Sequence, residues 1–160
     1  MILPTSPTDS PHLVALASRT GVFKPHELVA LQEVLNDYHA TNYDEGHRSF
    51  TAWQNDQPVG FVYFGLVAMT DNTWDLWWIA VDPTVQGKGT GAKLLTFAED
   101  EMRKAGGRIL TLDTSSTPNY EPTRRFYLKN GYTLIATLPD YYADGDGKCI
   151  FWKRLTVRTM

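Results

Sequence analysis

The stretch Val81–Leu95 reads VDPTVQGKGTGAKLL. Gly87, Gly89 and Gly91 alternate in it, between the end of an apolar run and the start of a helix-like one. Each glycine weakens a helix by about 1 kcal/mol relative to alanine. A bare backbone at a helix N-terminus has a defined use. Its free N–H groups approach phosphate oxygens closely, and the helix dipole favours the negative charge. Lys88 adds a positive charge, and Gln86 can hydrogen-bond from the loop side. A merely flexible connection is the plain structural alternative, and it explains one glycine better than three.

Upstream, WDLWWIAV reads as a strand that Asp82-Pro83 ends. Downstream, a helix runs to about Ala105 with Leu95, Ala98, Met102 and Ala105 on one face, and Gly106-Gly107 stops it. Arg108 to Thr114 is the next strand. Strand, helix and strand form a crossover that pairs two strands in parallel, right-handed. Before it come a short strand at Ile2–Pro4 and a helix capped by Asp9 or Ser10, with Pro11 in its first turn, running to Arg19. A second helix starts at Pro25, carries Leu28, Leu31 and Leu35 on one face, and fades near Tyr38 to Thr41. RSFTAWQ and VGFVYFG form a hairpin around Asn55-Asp56-Gln57-Pro58, and Thr70-Asp71-Asn72 turns the chain into the crossover strand. After it come the loop SSTPNYEP, a helix from Pro122 to Asn130 ended by Gly131, the strand YTLIATL, a polar loop PDYYADGDGK and a closing strand CIFWKRL. The expected class is α/β (mixed α+β). Its centre is a mostly antiparallel mixed sheet of about seven strands, with one parallel β-α-β crossover and helices on both faces.

At 160 residues, 42% hydrophobic and 21% charged, residues 1–160 fit a single domain with a real core. A net charge of −3 argues against a general nucleic-acid binder, which needs a basic face. Cys149 is the one cysteine, so no internal disulfide forms; beside Ile150 and Phe151 it reads as a small buried residue. MILPTSPTDS has no basic segment followed by an apolar core, and FVYFGLVAM is too short to span a bilayer. A cytoplasmic protein without a membrane partner is expected. His12, His26, His39 and His47 show no ligand spacing, so no metal site is expected, and no G-x-S-x-G elbow is present.

The glycine stretch fails as a Walker A loop, because Lys88 is followed by Gly89 and the upstream glycine is missing. The dinucleotide fingerprint G-x-G-x-x-[GA] matches at Gly87, Gly89 and Ala92, and Asp113 lies about where a ribose-binding acid falls. Two features count against it. DPTVQ separates the glycines from their strand, and the flanking segments read as antiparallel hairpins rather than further β-α-β units.

The same stretch, V-D-P-x-x-Q-G-K-G-x-G-x-x-L-L, resembles the acyl-CoA-binding motif [QR]-x-x-G-x-[GA] of the GNAT N-acetyltransferase superfamily, with Gln86, Gly89 and Gly91 in the motif positions. NYEPTRRFYLKNGY resembles the family's next helix, through Phe126, Tyr127, Gly131 and Tyr132. The order of elements fits over nearly the whole chain. The resemblance implies acetyl-CoA as cosubstrate. The N–H groups of Gln86, Gly87, Lys88, Gly89, Thr90, Gly91 and Ala92 would then hold the pyrophosphate. The backbone of Ile79, Ala80 and Val81 would pair with the pantetheine arm and polarise the thioester carbonyl. Gly107 and Arg108 open the neighbouring parallel strand, which the family splays from the first to admit the arm. Asn119 lies near an asparagine that contacts the cofactor in family members, although Pro122 alters the helix start here.

Attack of an amine on a thioester needs two proton events. The amine, with a pKa near ~10.4 if lysine-like, must lose a proton, and the departing thiolate must gain one. Tyr127 is the candidate acid, since a phenol with a pKa of about 10 is protonated at neutral pH. Its plain alternative is core packing on a helical face with Thr123, Phe126 and Asn130. Asp75 opens the strand leading to the glycine turn and is the candidate base, with an ordinary strand-end role as its alternative. His47 can serve the substrate or be a surface histidine. Trp74, Trp77 and Trp78 pack both sheet faces, with one open to a substrate cleft. Asp140, Asp144 and Asp146 with Tyr141 and Tyr142 can receive a cationic amine, or form a solvated hairpin loop.

The function expected is an acyl-CoA-dependent N-acetyltransferase, working by direct transfer in a ternary complex on a primary amine of a small molecule or amino-acid-like acceptor. A non-catalytic acyl-CoA-binding domain and a dinucleotide-binding oxidoreductase are the alternatives. The resemblance leaves a homodimer open, since dimers are common in the family.

Overall fold

Short-range chemistry sets the first elements. Pro11 stands in the first turn of helix α1, Ser10–Arg19; Asp9 before it makes no side-chain cap bond to α1 and instead accepts the Ser6 N–H at 2.9 Å across the 3-10 turn Pro7–Asp9. Pro25 occupies the first turn of α2, Pro25–Ala40, and Glu27 reaches back to the Lys24 N–H at 2.9 Å. The computed structural model describes residues 1–156. Seven strands accompany these helices: β1 Ile2–Pro4, β2 His47–Gln54, β3 Gln57–Leu66, β4 Thr73–Val81, β5 Ile109–Ser115, β6 Thr133–Ala143 and β7 Asp146–Arg154. Helices α3, Thr90–Lys104, and α4, Glu121–Lys129, complete the order. The sheet order is β1-β2-β3-β4-β5-β7-β6. Among the described residues only β4 and β5 pair in parallel, through Thr73, Trp74 and Asp75 opposite Ile109, Leu110 and Thr111. The expected mixed, mostly antiparallel seven-stranded sheet with one crossover is the observed one.

The chain divides into two compact units, Met1–Leu66 with Leu76–Asp100, and Val67–Asp75 with the chain from Glu101 onward. The core of the first takes Leu31 and Leu35 from the α2 face read in the sequence, with Leu28 packed against it, and adds an α1 face that was not read there. Leu13, Leu16 and Ala17 of α1 and Leu31, Leu35 and Tyr38 of α2 pack with Phe61, Tyr63 and Ala80. In the second unit β7 pairs with both β5 and β6, and α4 packs Tyr127 near Phe151 of β7.

Three boundaries differ from expectation. The first hairpin turns on two residues, Asn55 and Asp56, both at positive φ (52° and 60°), so Gln57 and Pro58 belong to β3. Pro58 has no N–H to donate, and it sits where the β2–β3 register shifts, opposite Trp53. The polar loop is mostly strand: β6 runs through Pro139–Ala143 and β7 starts at Asp146, with Ala143 opposite Asp146. A bulge between Leu138 and Ala143 absorbs the irregular register, and Asp140 accepts the Gly145 N–H at 2.7 Å. Ala105 lies past the end of α3 and is exposed, while Leu94 joins Leu95, Ala98 and Met102 on the buried face.

Candidate functional site

The turn from β4 into α3 carries the glycines read in the sequence. Asp82 ends the strand and fixes the approach. Its carboxylate accepts the Thr84 N–H at 3.0 Å and the Arg19 guanidinium at 2.6 Å, and the Thr84 N–H bond first, then Arg19, holds its pKa below the ordinary carboxylate value. Gln86 returns its side-chain amide to the Val81 carbonyl at 3.1 Å. Gly87 and Gly89 stand at φ +82° and +81°, which L side chains rarely adopt, and no atom lies within 4 Å of where a Cβ would be. Residues 86 to 89 are exposed. Lys93 donates to the Gly89 carbonyl at 3.0 Å, so α3 opens there with its first N–H groups beyond the reach of an intrahelical carbonyl. Open glycines, free helix-start donors and Lys88 fit a pyrophosphate.

The strand before the turn is irregular. Val67 donates to the Thr73 carbonyl and Asp82 to the Val59 carbonyl, each at 2.8 Å. Thr73 to Asp82 on β4 is one residue longer than Val59 to Val67 on β3, so β4 carries an extra residue that disrupts the ladder. The pairs with β5 end at Asp75, well before Val81. Ile79, Ala80 and Val81 therefore lie beyond the β4–β5 pairs, and the Val81 carbonyl accepts from the Gln86 side chain.

In the second unit, Asp75 is half-buried and accepts the Thr111 hydroxyl. Tyr127 is buried, its ring against Phe126, Tyr132 and Phe151 at centroid distances of 5.3, 5.6 and 5.8 Å. Burial alone pushes its phenol well above the ordinary tyrosine pKa. Asn119 is exposed, in a single 3-10 turn before α4. Asp113 faces Lys148 at 3.9 Å and Tyr142 at 3.4 Å, and burial first raises its pKa.

The hairpin aspartates do not act together. Asp146 is buried and bonded to the Ser115 hydroxyl at 2.5 Å, Asp140 serves Gly145, and the chain's own Lys148 lies 4.6 Å over the Tyr141 ring. Cys149 is buried, as expected.

One grouping is not read from the sequence. In the first unit His47 joins Tyr63 and Trp77: its Nδ1 is 2.5 Å from the Tyr63 hydroxyl, and its ring is 4.8 Å from that of Trp77. Gly65, inside a strand of large residues, is the signal that marks it, since a strand glycine often admits a close neighbour.

Among the described residues no helix is long and apolar enough to cross a membrane. The acetyltransferase (GNAT) family model matches residues 15–132. A crystal structure of a GNAT-family protein from Desulfovibrio desulfuricans has a TM-score of 0.93 and 32% identity, covering 98% of this chain and 99% of that one. The aminoalkylphosphonate N-acetyltransferase of Salmonella typhimurium is 37% identical over 54 residues, so the chain spans about a third of that relative's length (34%). A Salmonella typhimurium protein solved with its cofactor acetyl-CoA, at 20% identity, shares the fold, with a TM-score of 0.80 over 100% of this chain and 96% of that one. The glycine turn after an irregular strand, the single parallel crossover and the family match converge: the chain belongs to the GNAT acetyltransferase family.

Proposed function

We propose that this chain is an N-acetyltransferase that moves an acetyl group from acetyl-CoA to a primary amine of a small molecule, by direct attack in a ternary complex. The observation that carries it is the open Gly87–Gly89 turn at the start of α3, joined to the irregular stretch of β4 by Asp82–Gln86. Acetyl-CoA supplies an activated thioester carbonyl. The N–H groups of Gly87 to Ala92 hold its pyrophosphate, the Gln86 N–H being bonded to the Pro83 carbonyl at 3.4 Å; Lys88 adds charge, and backbone groups at Ile79 to Val81 orient the arm and polarise the carbonyl. Asn119 is a further contact to the cosubstrate. Asp75 takes a proton from the substrate ammonium through a water, and the neutral amine then attacks the thioester carbonyl. As the C–S bond breaks, Tyr127 gives its hydroxyl proton to the departing sulfur and regains one from the nitrogen of the new amide. Burial keeps that phenol protonated at neutral pH, and among the described residues its hydroxyl has no hydrogen-bond partner to compete for the proton. The relative named for aminoalkylphosphonates supports a small amine as acceptor. In this proposal the two units serve one catalytic domain, which works in the cytoplasm.

The test is release of free thiol from acetyl-CoA by the purified protein, followed with and without a panel of primary amines. Amine-dependent release, with the acetylated amine found by mass spectrometry, is the expected result. Binding of acetyl-CoA with no amine-dependent release would leave a non-catalytic acyl-CoA-binding domain.

A further inference from the structure

We propose that Trp77 is the stacking floor of the acceptor subsite and selects primary amines that carry an aromatic ring, an inference that rests on the acetyl-transfer reading. Trp77 sits inside β4, not on a loop, and is 42% exposed beside the buried Leu76. Its ring is backed from within the first unit. A Cβ built at Gly65 would lie 2.4 Å from Cζ3 and 2.5 Å from Cη2 of Trp77, so the indole rests on bare backbone. His47 stands 4.8 Å away and Tyr63 5.9 Å away, centroid to centroid. His47 is itself fixed by Tyr63, and Tyr63 packs edge-on to Tyr38 at 5.6 Å. The indole is therefore held in place before anything binds, and a rigid ring loses little entropy on stacking.

Its position on the strand gives the occupant. The glycine turn follows the C-terminal end of β4, so an arm laid from the turn along Ile79–Val81 carries its reactive end toward lower residue numbers, to Trp78 and Trp77. An amine that attacks there brings its body over the exposed indole. Charge does not select that body. Glu45 and Arg48 act on His47 with opposite signs, and Asp37 acts on Tyr63. Burial lowers the pKa of His47, and Arg48 is spent on the Tyr43 carbonyl at 2.8 Å and the Tyr43 ring at 4.0 Å. The exposed indole thus offers a ring face, and Arg48, the described cation acting on His47, is already engaged. Trp77 is a binding residue here, and His47 and Tyr63 position it.

The test measures kcat/KM at saturating acetyl-CoA for 2-phenylethylamine, spermidine and aminomethylphosphonate. Phenylethylamine should exceed each of the others by about tenfold, the worth of one good aromatic pair. Trp77→Ala should erase that ratio mainly through the KM for phenylethylamine, and Trp77→Phe should keep most of it. Equal use of the three amines, preference for spermidine or the phosphonate, or a Trp77→Ala ratio that does not change would overturn the inference. If Trp77→Ala does not fold, the wild-type ratio and Trp77→Phe decide. Calorimetry separates the two levels: binding of acetyl-CoA without aromatic preference removes the Trp77 proposal alone, while no binding removes the acetyl-transfer reading with it.

Discussion

Tyr127 has a ring that belongs to the core of its unit and a hydroxyl that makes no protein hydrogen bond among the described residues. Phenylalanine keeps the first and removes the second. Tyr127→Phe should therefore lower turnover by about 100-fold, the usual range for loss of a general acid, and change acetyl-CoA affinity by less than about twofold. Steady-state kinetics beside calorimetry checks this, and unchanged turnover would leave Tyr127 a packing residue. The glycine turn was legible at this scale because three alternating glycines are a local signal. The His47–Tyr63–Trp77 grouping was not, because its members meet only through the β2–β3–β4 pairing. Gly65 alone hinted at it, and a lone glycine does not name the ring that fills its space.

Among the elements, Asp82 links the end of α1 to the end of β4 and shapes the approach to the glycine turn. Asp82→Ala removes both the Thr84 cap and the Arg19 partner, and should cost about 1–2 kcal/mol in urea unfolding. Arg19→Ala should cost less than about 1 kcal/mol, because the Arg19 side chain is 52% exposed and the cap survives. Equal losses would mean that the ion pair, not the cap, holds the junction. Helix α1 was legible from Asp9, Ser10 and Pro11 at its start, and α2 from Pro25 followed by the Leu28, Leu31 and Leu35 face. The hairpin ends were not. β6 is the edge strand and is exposed along nearly its whole length, so no alternation of apolar and polar residues marks it. Its extent is set by hydrogen bonding to β7, which composition does not reveal. Pro58 read as a turn residue for a related reason: its place at a register shift is a property of the pairing.

At the scale of the whole molecule, a mostly antiparallel sheet with one parallel crossover was legible because strand–helix–strand periodicity fixes a crossover and short turns fix hairpins, whereas the place of β7 between β5 and β6 was not. The acceptor was not, because it depends on side chains brought together across three strands. Acid sensitivity also belongs to this scale. Burial lowers the pKa of His39 and of His47; Asp9 opposes it at His39, while Glu45 opposes it and Arg48 adds to it at His47. As pH falls, the unfolded chain protonates these rings first, near ~6.5, and the folded protein only below that. Their contribution is present above about 6.5 and is lost as pH falls through that window. Stability to urea should drop between about pH 7.5 and pH 5.5, and His47→Gln should make the drop shallower. A variant slope equal to that of the wild type would remove His47 from the acid response.

The most direct measurement is calorimetric titration of the purified protein with acetyl-CoA, with NAD in parallel. Saturable one-to-one binding of acetyl-CoA and no response to NAD is the predicted result. Binding of NAD without acetyl-CoA would contradict the assignment of the Gln86–Ala92 turn and return Gly87, Gly89 and Asp113 to the dinucleotide reading.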